Sequence, residues 1–415
     1  MSLLDLLADA GIWADFLEYK RSLCCPGNLE KDLRSFLDRR GYLPVCERIR
    51  RGEPFPLPQK TVLSKLGSAK KRTVYTYPPD ENMVLKLLTH LLLRRYDGLF
   101  SEGLYSFRPG RSAKSAVRRL TRLGREWAFY YKVDIHDYFN SVPVESFLPL
   151  LEQAVGEDPE LFTFLSTLLR EPQVLENSRP VSEEKGIMAG TPLSAFYANL
   201  YLRDLDRSFD EAGIPYARYS DDIIVFARSR EEAEADRAGI LNFLAARGLT
   251  VNPDKEAFGE VAGGWTFLGF SFRDGVVDIA PATVQKLKDK MRRKARALRR
   301  WQMRNELEGE RAAAAFIRVF NRKLLESARD HELTWSYWFF SVINTTESLH
   351  AIDLYAQDCL RYLVSGTRTK ARYNVRYPDL KRLGYRSLVH AYYAFAGHDG
   401  KKEPSAPAAA PNSDE

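Results

Sequence analysis

Tyr216–Ala227 reads YARYSDDIIVFA, two arms rich in β-branched and aromatic residues flanking the polar tripeptide Ser220-Asp221-Asp222. The break between the arms is short, so the stretch predicts a β-hairpin with both aspartates at its tip. Adjacent carboxylates at a tight turn repel each other unless a cation sits beside them, and an all-oxygen donor set suits a hard divalent ion such as Mg²⁺. A plain acidic turn has the same local sequence, so the rest of the chain decides between the two.

Upstream, residues 129–139, FYYKVDIHDYF, predict a hydrophobic strand interrupted by Asp134. An acid inside such a run is costly to bury unless it is paired, hydrogen-bonded or metal-bound. Asp134 is therefore the expected partner of the hairpin acids, and Phe139 is expected where the chain leaves the strand beside them. Between the acidic strands, GIMAGTPLSAFYANLYLRDLD (186–206) predicts a loop marked by Gly186, Gly190 and Pro192, a helix N-cap at Ser194, and a packed amphipathic helix over Ala195–Leu205. Downstream, a helix ending near Gly248 leads to a short strand and a turn carrying Lys255, and GWTFLGFSF (264–272) reads as one strand. This order predicts an α+β fold with helices against one face of an antiparallel sheet.

The flanks are less specific. Residues 1–66 read as a helical N-terminal extension with a Pro-rich connector, EPFPLPQ. Lys70, Lys71 and Arg72 precede an alternating run, a basic strand tip able to hold a triphosphate or to form an ordinary surface turn. In SFRPGRSA, Arg108 and Arg111 flank a Pro-Gly turn and Ser112 is placed to cap a helix, which suits a grip on a phosphate backbone or a purely structural turn.

At 415 residues, with 45% hydrophobic and 28% charged residues, the chain falls among globular proteins of two or three domains. Its N-terminus lacks a basic leader and a long apolar core, so neither signal peptide nor membrane span is expected and a cytoplasmic setting is. Cys24, Cys25, Cys46 and Cys359 show no zinc-ligand spacing, which leaves reduced thiols as the expectation. The net charge of +7 is unevenly placed: residues 281–400 hold 23 Lys/Arg against 12 Asp/Glu, and the remainder 39 against 43. A basic C-terminal module on a nearly neutral body suggests a polyanionic partner, although a solvated basic face has the same composition. Nine of the fifteen residues Lys286–Arg300 are basic, including Arg292, Arg293 and Arg296. A later stretch mixes Arg372 and Arg376 with Tyr373, Tyr377 and Tyr385, as surfaces that stack bases and hold phosphates do.

Taken together, KKR, SFRPGRSA, VDIHDYF, AGTPLSAFYANLYL, YSDD, and GLTVNPDKEAF followed by FLGF, in that order over roughly residues 65–275, resemble the reverse transcriptases, specifically the bacterial group II intron-related set. The resemblance implies a right-hand polymerase: fingers over 67–125, a palm over 126–278 with finger elements inserted around 150–190, a basic helical thumb over 279–398, and a disordered tail over 399–415. It implies two Mg²⁺ ions, or Mn²⁺, held by Asp134, the Ile135 backbone, Asp221 and Asp222. Lys70 and Arg72 would hold an incoming dNTP, Phe139 would exclude a 2′-hydroxyl, and Lys255 would protonate pyrophosphate where it is not simply a surface lysine. Met188-Ala189-Gly190 replaces the family's Pro-Gln-Gly, so Ala189 and Gly190 would face the template and nucleotide pocket without the usual amide. That variant is similar to stand-alone and antiviral-defence reverse transcriptases. The expected partners are a structured non-coding RNA as template and scaffold, a DNA product and dNTPs, with no membrane. No nuclease, RNase H or integrase segment follows the thumb in this sequence, so a self-contained mobile retroelement is not the expectation; a maturase that assists intron splicing and an idle RNA scaffold stand as the alternatives to the polymerase.

Overall fold

The two arms around Ser220-Asp221-Asp222 pair as a hairpin in the computed structural model, which describes residues 2–23, 27–64, 71–124, 126–326 and 334–399. In chain order the strands are β1 (Gln59–Ser64), β2 (Lys71–Thr76), β3 (Phe129–Asp134), β4 (Gln173–Glu176), β5 (Arg179–Ser182), β6 (Tyr216–Tyr219), β7 (Asp222–Ala227), β8 (Ala257–Glu260), β9 (Trp265–Phe267), β10 (Phe270–Arg273) and β11 (Val276–Ile279). The chain divides into Met1–Leu268 and Gly269–Glu415, earlier than the expected boundary at 278/279.

In the first unit β6, β7, β3 and β8 form an antiparallel sheet in that order. Every residue of β7 from Ile223 to Ala227 is buried, as an unbroken β-branched and aromatic run requires of a strand covered on both faces. Helix Arg230–Ala246 packs on β3 and β7, and its first turn is capped by Ser229 Oγ, which accepts from Glu232 N–H at 3.2 Å. Helix Arg203–Glu211 packs on β6.

Four local expectations need correction. The helix expected over Ala195–Leu205 is broken at Leu202, and its first part, Ser194–Tyr201, is buried nearly all round rather than amphipathic, with Ser194 and Asn199 finding partners inside. Ser194 is not an N-cap: it lies within the helix and its hydroxyl donates to Thr191 O at 2.7 Å. Residues 59–64, assigned to the helical extension, form β1, antiparallel to β2 from Gln59↔Thr76 to Ser64↔Lys71 and parallel to β4 at Gln59↔Leu175. Lastly, the run 264–272 is two strands, broken where Leu268 and Gly269 take positive φ (50° and 87°).

The second unit opens on the β10–β11 hairpin, whose Asp274-Gly275 turn has both φ positive, the requirement of a two-residue turn of type I′. Six α-helices follow among the described residues, with Glu347–Ser365 packed against Pro281–Arg304, Gly309–Leu324 and Leu388–Asp399. Helix Pro281–Arg304 turns Val284, Met291, Ala295, Leu298 and Gln302 inward, a stripe at helical spacing. Asp353, buried, accepts from Tyr385 Oη (2.7 Å), Ser387 Oγ (2.6 Å) and the amides of Leu388 and Val389 (3.0 and 3.2 Å), so it caps the last helix from a neighbouring one. Cys46 and Cys359 are buried free thiols, while Cys24 and Cys25 lie outside the described residues, as do residues 400–415 of the expected disordered tail. No helix among the described residues is long and apolar enough to cross a membrane.

Candidate active site

The register of β3 on β7 sets Asp134 opposite Asp222, and Ile135 N–H donates to Asp221 O at 3.0 Å, so the end of one strand meets the tip of the hairpin. Carboxylate oxygens of Asp134, Asp221 and Asp222 lie within 4.8 Å of one another. Burial raises the pKa of Asp221, and repulsion from Asp134 adds to it. Asp222 is pushed up to about 6, by burial first and then by Asp221 and Asp134. Lys255 is the cation in contact: its half-exposed ammonium donates to Asp134 Oδ2 at 2.5 Å. Three hard oxygen donors crowded into a partly dry site fit a divalent cation, which would relieve both the burial cost and the mutual repulsion.

The residues expected to meet a nucleotide lie on β2 and in the loop before helix Ser194–Tyr201. Arg72 is exposed on β2, near enough for its charge to oppose the rise at Asp221. Lys70 lies outside the described residues. Ala189 is buried: its N–H donates to Asn140 Oδ1 (3.1 Å) and its carbonyl accepts from Tyr75 N–H (2.8 Å), so the loop is fastened to β2 on one side and helix Tyr138–Ser141 on the other. Gly190 has φ 99°, and a Cβ there would stand 3.0 Å from Tyr75 O, so both conformation and closeness require glycine. Gly186 is equally constrained, with a would-be Cβ 2.5 Å from Phe139 O. Phe139 is half-buried, its ring 5.6 Å from that of Tyr138 and its carbonyl accepting from Ile187 N–H at 2.8 Å.

The family model described as reverse transcriptase (RNA-dependent DNA polymerase) matches residues 65–272, half of the chain and the whole region just described. The chain belongs to the reverse transcriptase family. Its fold class is accordingly the right-hand polymerase, α+β with an antiparallel-sheet palm and a helical thumb. A 91 kDa uncharacterized protein in the cob intron of Schizosaccharomyces pombe is 25% identical over 277 residues, 62% of this chain and 32% of that protein. The chain thus spans about a third of that relative's length. Two telomerase structures show a slight likeness in fold. Apo telomerase of Candida tropicalis, truncated from its C-terminal domain, is 11% identical with 55% of each chain covered and a TM-score of 0.46. Candida albicans telomerase in complex with the TWJ fragment of telomeric RNA is 12% identical, with 85% of this chain and 64% of that one covered and a TM-score of 0.44.

Among reverse transcriptase residues expected to grip nucleic acid, the structure separates exposed cations from committed ones. Arg108 is corrected to a structural role: it is buried, its guanidinium holds both Asp97 oxygens (2.8 and 3.1 Å), and it also donates to Ser101 O, Leu104 O and Asp97 O. Arg111 bonds the Glu102 carboxylate and carbonyl (2.5 and 3.0 Å) and so braces the same turn. Ser112 does cap helix Ala113–Leu120. Arg372 is likewise committed, to Asp358 (2.7 Å), the Arg368 and Thr369 carbonyls and Tyr373 Oη. Lys286, Arg293 and Arg296 stand exposed on the outer face of helix Pro281–Arg304. Arg292 is exposed with Asp289 at 2.7 Å, and Arg376 is exposed at the start of helix Tyr377–Arg382.

Sequence reasoning missed two residues near the acids. One is Asn140, which fastens the Ala189 loop. The other is Arg218, fully buried behind the hairpin with Asp206. Its signal was present: a charged residue at an inward position of a strand arm demands a buried counter-charge, just as Asp134 did.

Proposed function

We propose that this chain is an RNA-directed DNA polymerase that adds dNTPs at the Asp134–Asp221–Asp222 cluster. The observation that carries the reading is the convergence of three carboxylates from two neighbouring strands, with raised proton affinity at Asp221 and Asp222, inside the region that matches the family. Asp134, Asp221 and Asp222 would hold two Mg²⁺ ions, with the Ile135 backbone beside them. Bound there, the ions supply activation of a primer 3′-hydroxyl and neutralisation of the leaving pyrophosphate. Arg72 is placed to hold a triphosphate by charge-assisted hydrogen bonds. Lys255, exposed at its ammonium and touching Asp134, is placed to carry a proton to the leaving group. Phe139 would occupy the space that a 2′-hydroxyl needs. The exposed basic face of helix Pro281–Arg304 would follow RNA phosphates without reading sequence.

The template proposed is a structured non-coding RNA, and the setting antiphage defence, motivated by Met188-Ala189-Gly190 and the basic C-terminal module. A specific observation favours a second setting: the curated relative lies in an intron, which suits a maturase-like reverse transcriptase. Purified protein given a primed RNA template should incorporate dNTPs only with Mg²⁺ or Mn²⁺. Phe139→Ala should raise the rNTP/dNTP ratio at least tenfold, about 1.4 kcal/mol of lost discrimination. Absence of templated incorporation with either ion would refute the enzymatic reading. Sequencing the copurified RNA separates the settings: a short structured RNA partly copied into DNA supports defence, and flanking intron RNA supports the maturase.

A further inference from the structure

Arg218 has no exposed surface, nor does its partner Asp206. All five guanidinium N–H groups are committed. Nε donates to Asp206 Oδ1 (2.7 Å) and Nη2 to Asp206 Oδ2 (2.5 Å) and Asn199 O (3.2 Å), while Nη1 donates to Ala198 O (3.4 Å) and Ser220 O (3.2 Å). Tyr216 Oη completes the acid's partners at 2.9 Å, and Tyr138 Oη donates to Ala198 O at 2.6 Å. Arg218 is also fixed through its backbone, with its N–H on Gly103 O (2.8 Å) and its carbonyl accepting from Tyr105 N–H (3.0 Å).

The bond to Ser220 O is the one that leaves the core. Ser220 is a non-glycine residue at φ 60°, in the left-handed region, and the peptide its carbonyl belongs to leads directly into Asp221. A single side chain therefore joins helix Ser194–Tyr201, helix Arg203–Glu211 and the turn that aims an acid. A buried ion pair is weak grounds for stability alone, since apolar residues of like volume often serve as well. Its fork geometry is specific, and lysine, with three donors on a flexible stem, cannot reproduce it.

We propose that Arg218 is a positioning residue of the active site: clamped by Asp206, it holds the Ser220 carbonyl and thereby sets the Ser220–Asp221 turn that brings Asp221 to Asp134 and Asp222. The inference rests on the cluster being the metal site. It does not require Arg218 to touch nucleotide or metal, and nothing in its surroundings offers it either.

The test compares wild type, R218K and the double variant R218M/D206L, which removes both charges and keeps apolar volume. Each is assayed for folding by thermal melt, for Mn²⁺ affinity by electron paramagnetic resonance without substrate, and for kcat, KM for dNTP and the Mn²⁺ concentration at half-maximal rate. The expected result is that at least one variant melts cooperatively near wild type, binds Mn²⁺ at least tenfold more weakly and needs correspondingly more ion, with KM for dNTP little changed. A folded variant with wild-type Mn²⁺ affinity would overturn the inference. So would failure of both variants to fold, because the pair would then support the fold as a whole rather than the turn. If wild type itself binds no Mn²⁺ at the cluster, the reading of the site fails instead, and the inference falls with it.

Discussion

Asp206, on the helix packed against β6, and the three acids at the end of β3 and the hairpin tip are treated in opposite ways. Asp206, with no exposed surface, meets a forked guanidinium and a tyrosine hydroxyl, so its charge is neutralised by the protein itself. Asp134, Asp221 and Asp222 gather at the end of β3 and the hairpin tip with one lysine, half in solvent, touching one of them. Depth alone does not distinguish the groups, since Asp134 is only 5% exposed. Whether the neutralising charge is built in does. The buried pair is finished as folded, whereas the cluster, on the function proposed, is left for a cation from outside to finish, and substitutions should therefore have opposite consequences at the two places.

The largest difference is expected in catalysis. Asp134→Ala or Asp221→Ala should lower dNTP incorporation on a primed RNA at least a thousandfold, roughly 4 kcal/mol of lost transition-state stabilisation. The melting temperature should hold or rise, because each change removes a repelling charge. Retention of a tenth of the wild-type rate in both would show that the cluster is not the catalytic centre.

At the finished pair the same kind of substitution should strike the fold. Asp206→Ala leaves the Arg218 guanidinium buried and uncompensated, a loss of about 3–5 kcal/mol in unfolding free energy by denaturant titration. A loss under about 1 kcal/mol would mean that water reaches the site and that the contrast with the cluster is one of degree.

Metal removal should expose the unfinished group through pH. Asp222 has a folded pKa of about 6, above its ordinary 3.8, so its contribution to stability is full below about pH 4 and lost as pH rises through 6. Chelator-treated protein should therefore lose stability across that window, by about 3 kcal/mol, and Asp222→Asn should flatten the loss. Added Mg²⁺ should restore stability at pH 7 in wild type more than in the variant.

The acid cluster was legible because each acid interrupts a run whose period is otherwise unmistakable: Asp134 in FYYKVD, Asp221 and Asp222 between two apolar arms. What could not be read locally was where cations end up. Arg108 and Arg293 look alike as sequence. One lies 11 residues from an aspartate that the fold wraps around it, and the other on the outward face of a helix. Strand β1 was missed for a related reason: QKTVLS has no buried stripe, with Val62 and Leu63 46% and 49% exposed, and its pairing with β4 joins segments over a hundred residues apart. The stretch Ala195–Leu205 reads as amphipathic because nothing in the sequence shows that Asn199 is satisfied from within.

The smallest effect sharpens the comparison most, because it concerns the lysine that touches an acid of the cluster. Lys255 and Arg218 both contact an aspartate near 2.5 Å, yet Lys255 is half-exposed and single-pronged where Arg218 is enclosed and forked. An exposed ion pair contributes about 0–1 kcal/mol, so Lys255→Met should change stability by less than that. If Lys255 is a placeholder that an incoming cation displaces, its removal should strengthen substrate-free Mn²⁺ binding about fivefold, roughly 1 kcal/mol of relieved repulsion between like charges screened by solvent. Incorporation rates should meanwhile fall, since the proposed proton donor is gone. Weaker Mn²⁺ binding in Lys255→Met would reverse the argument: the lysine would then hold Asp134 in its ligating position, and both cations would belong to the finished part of the site.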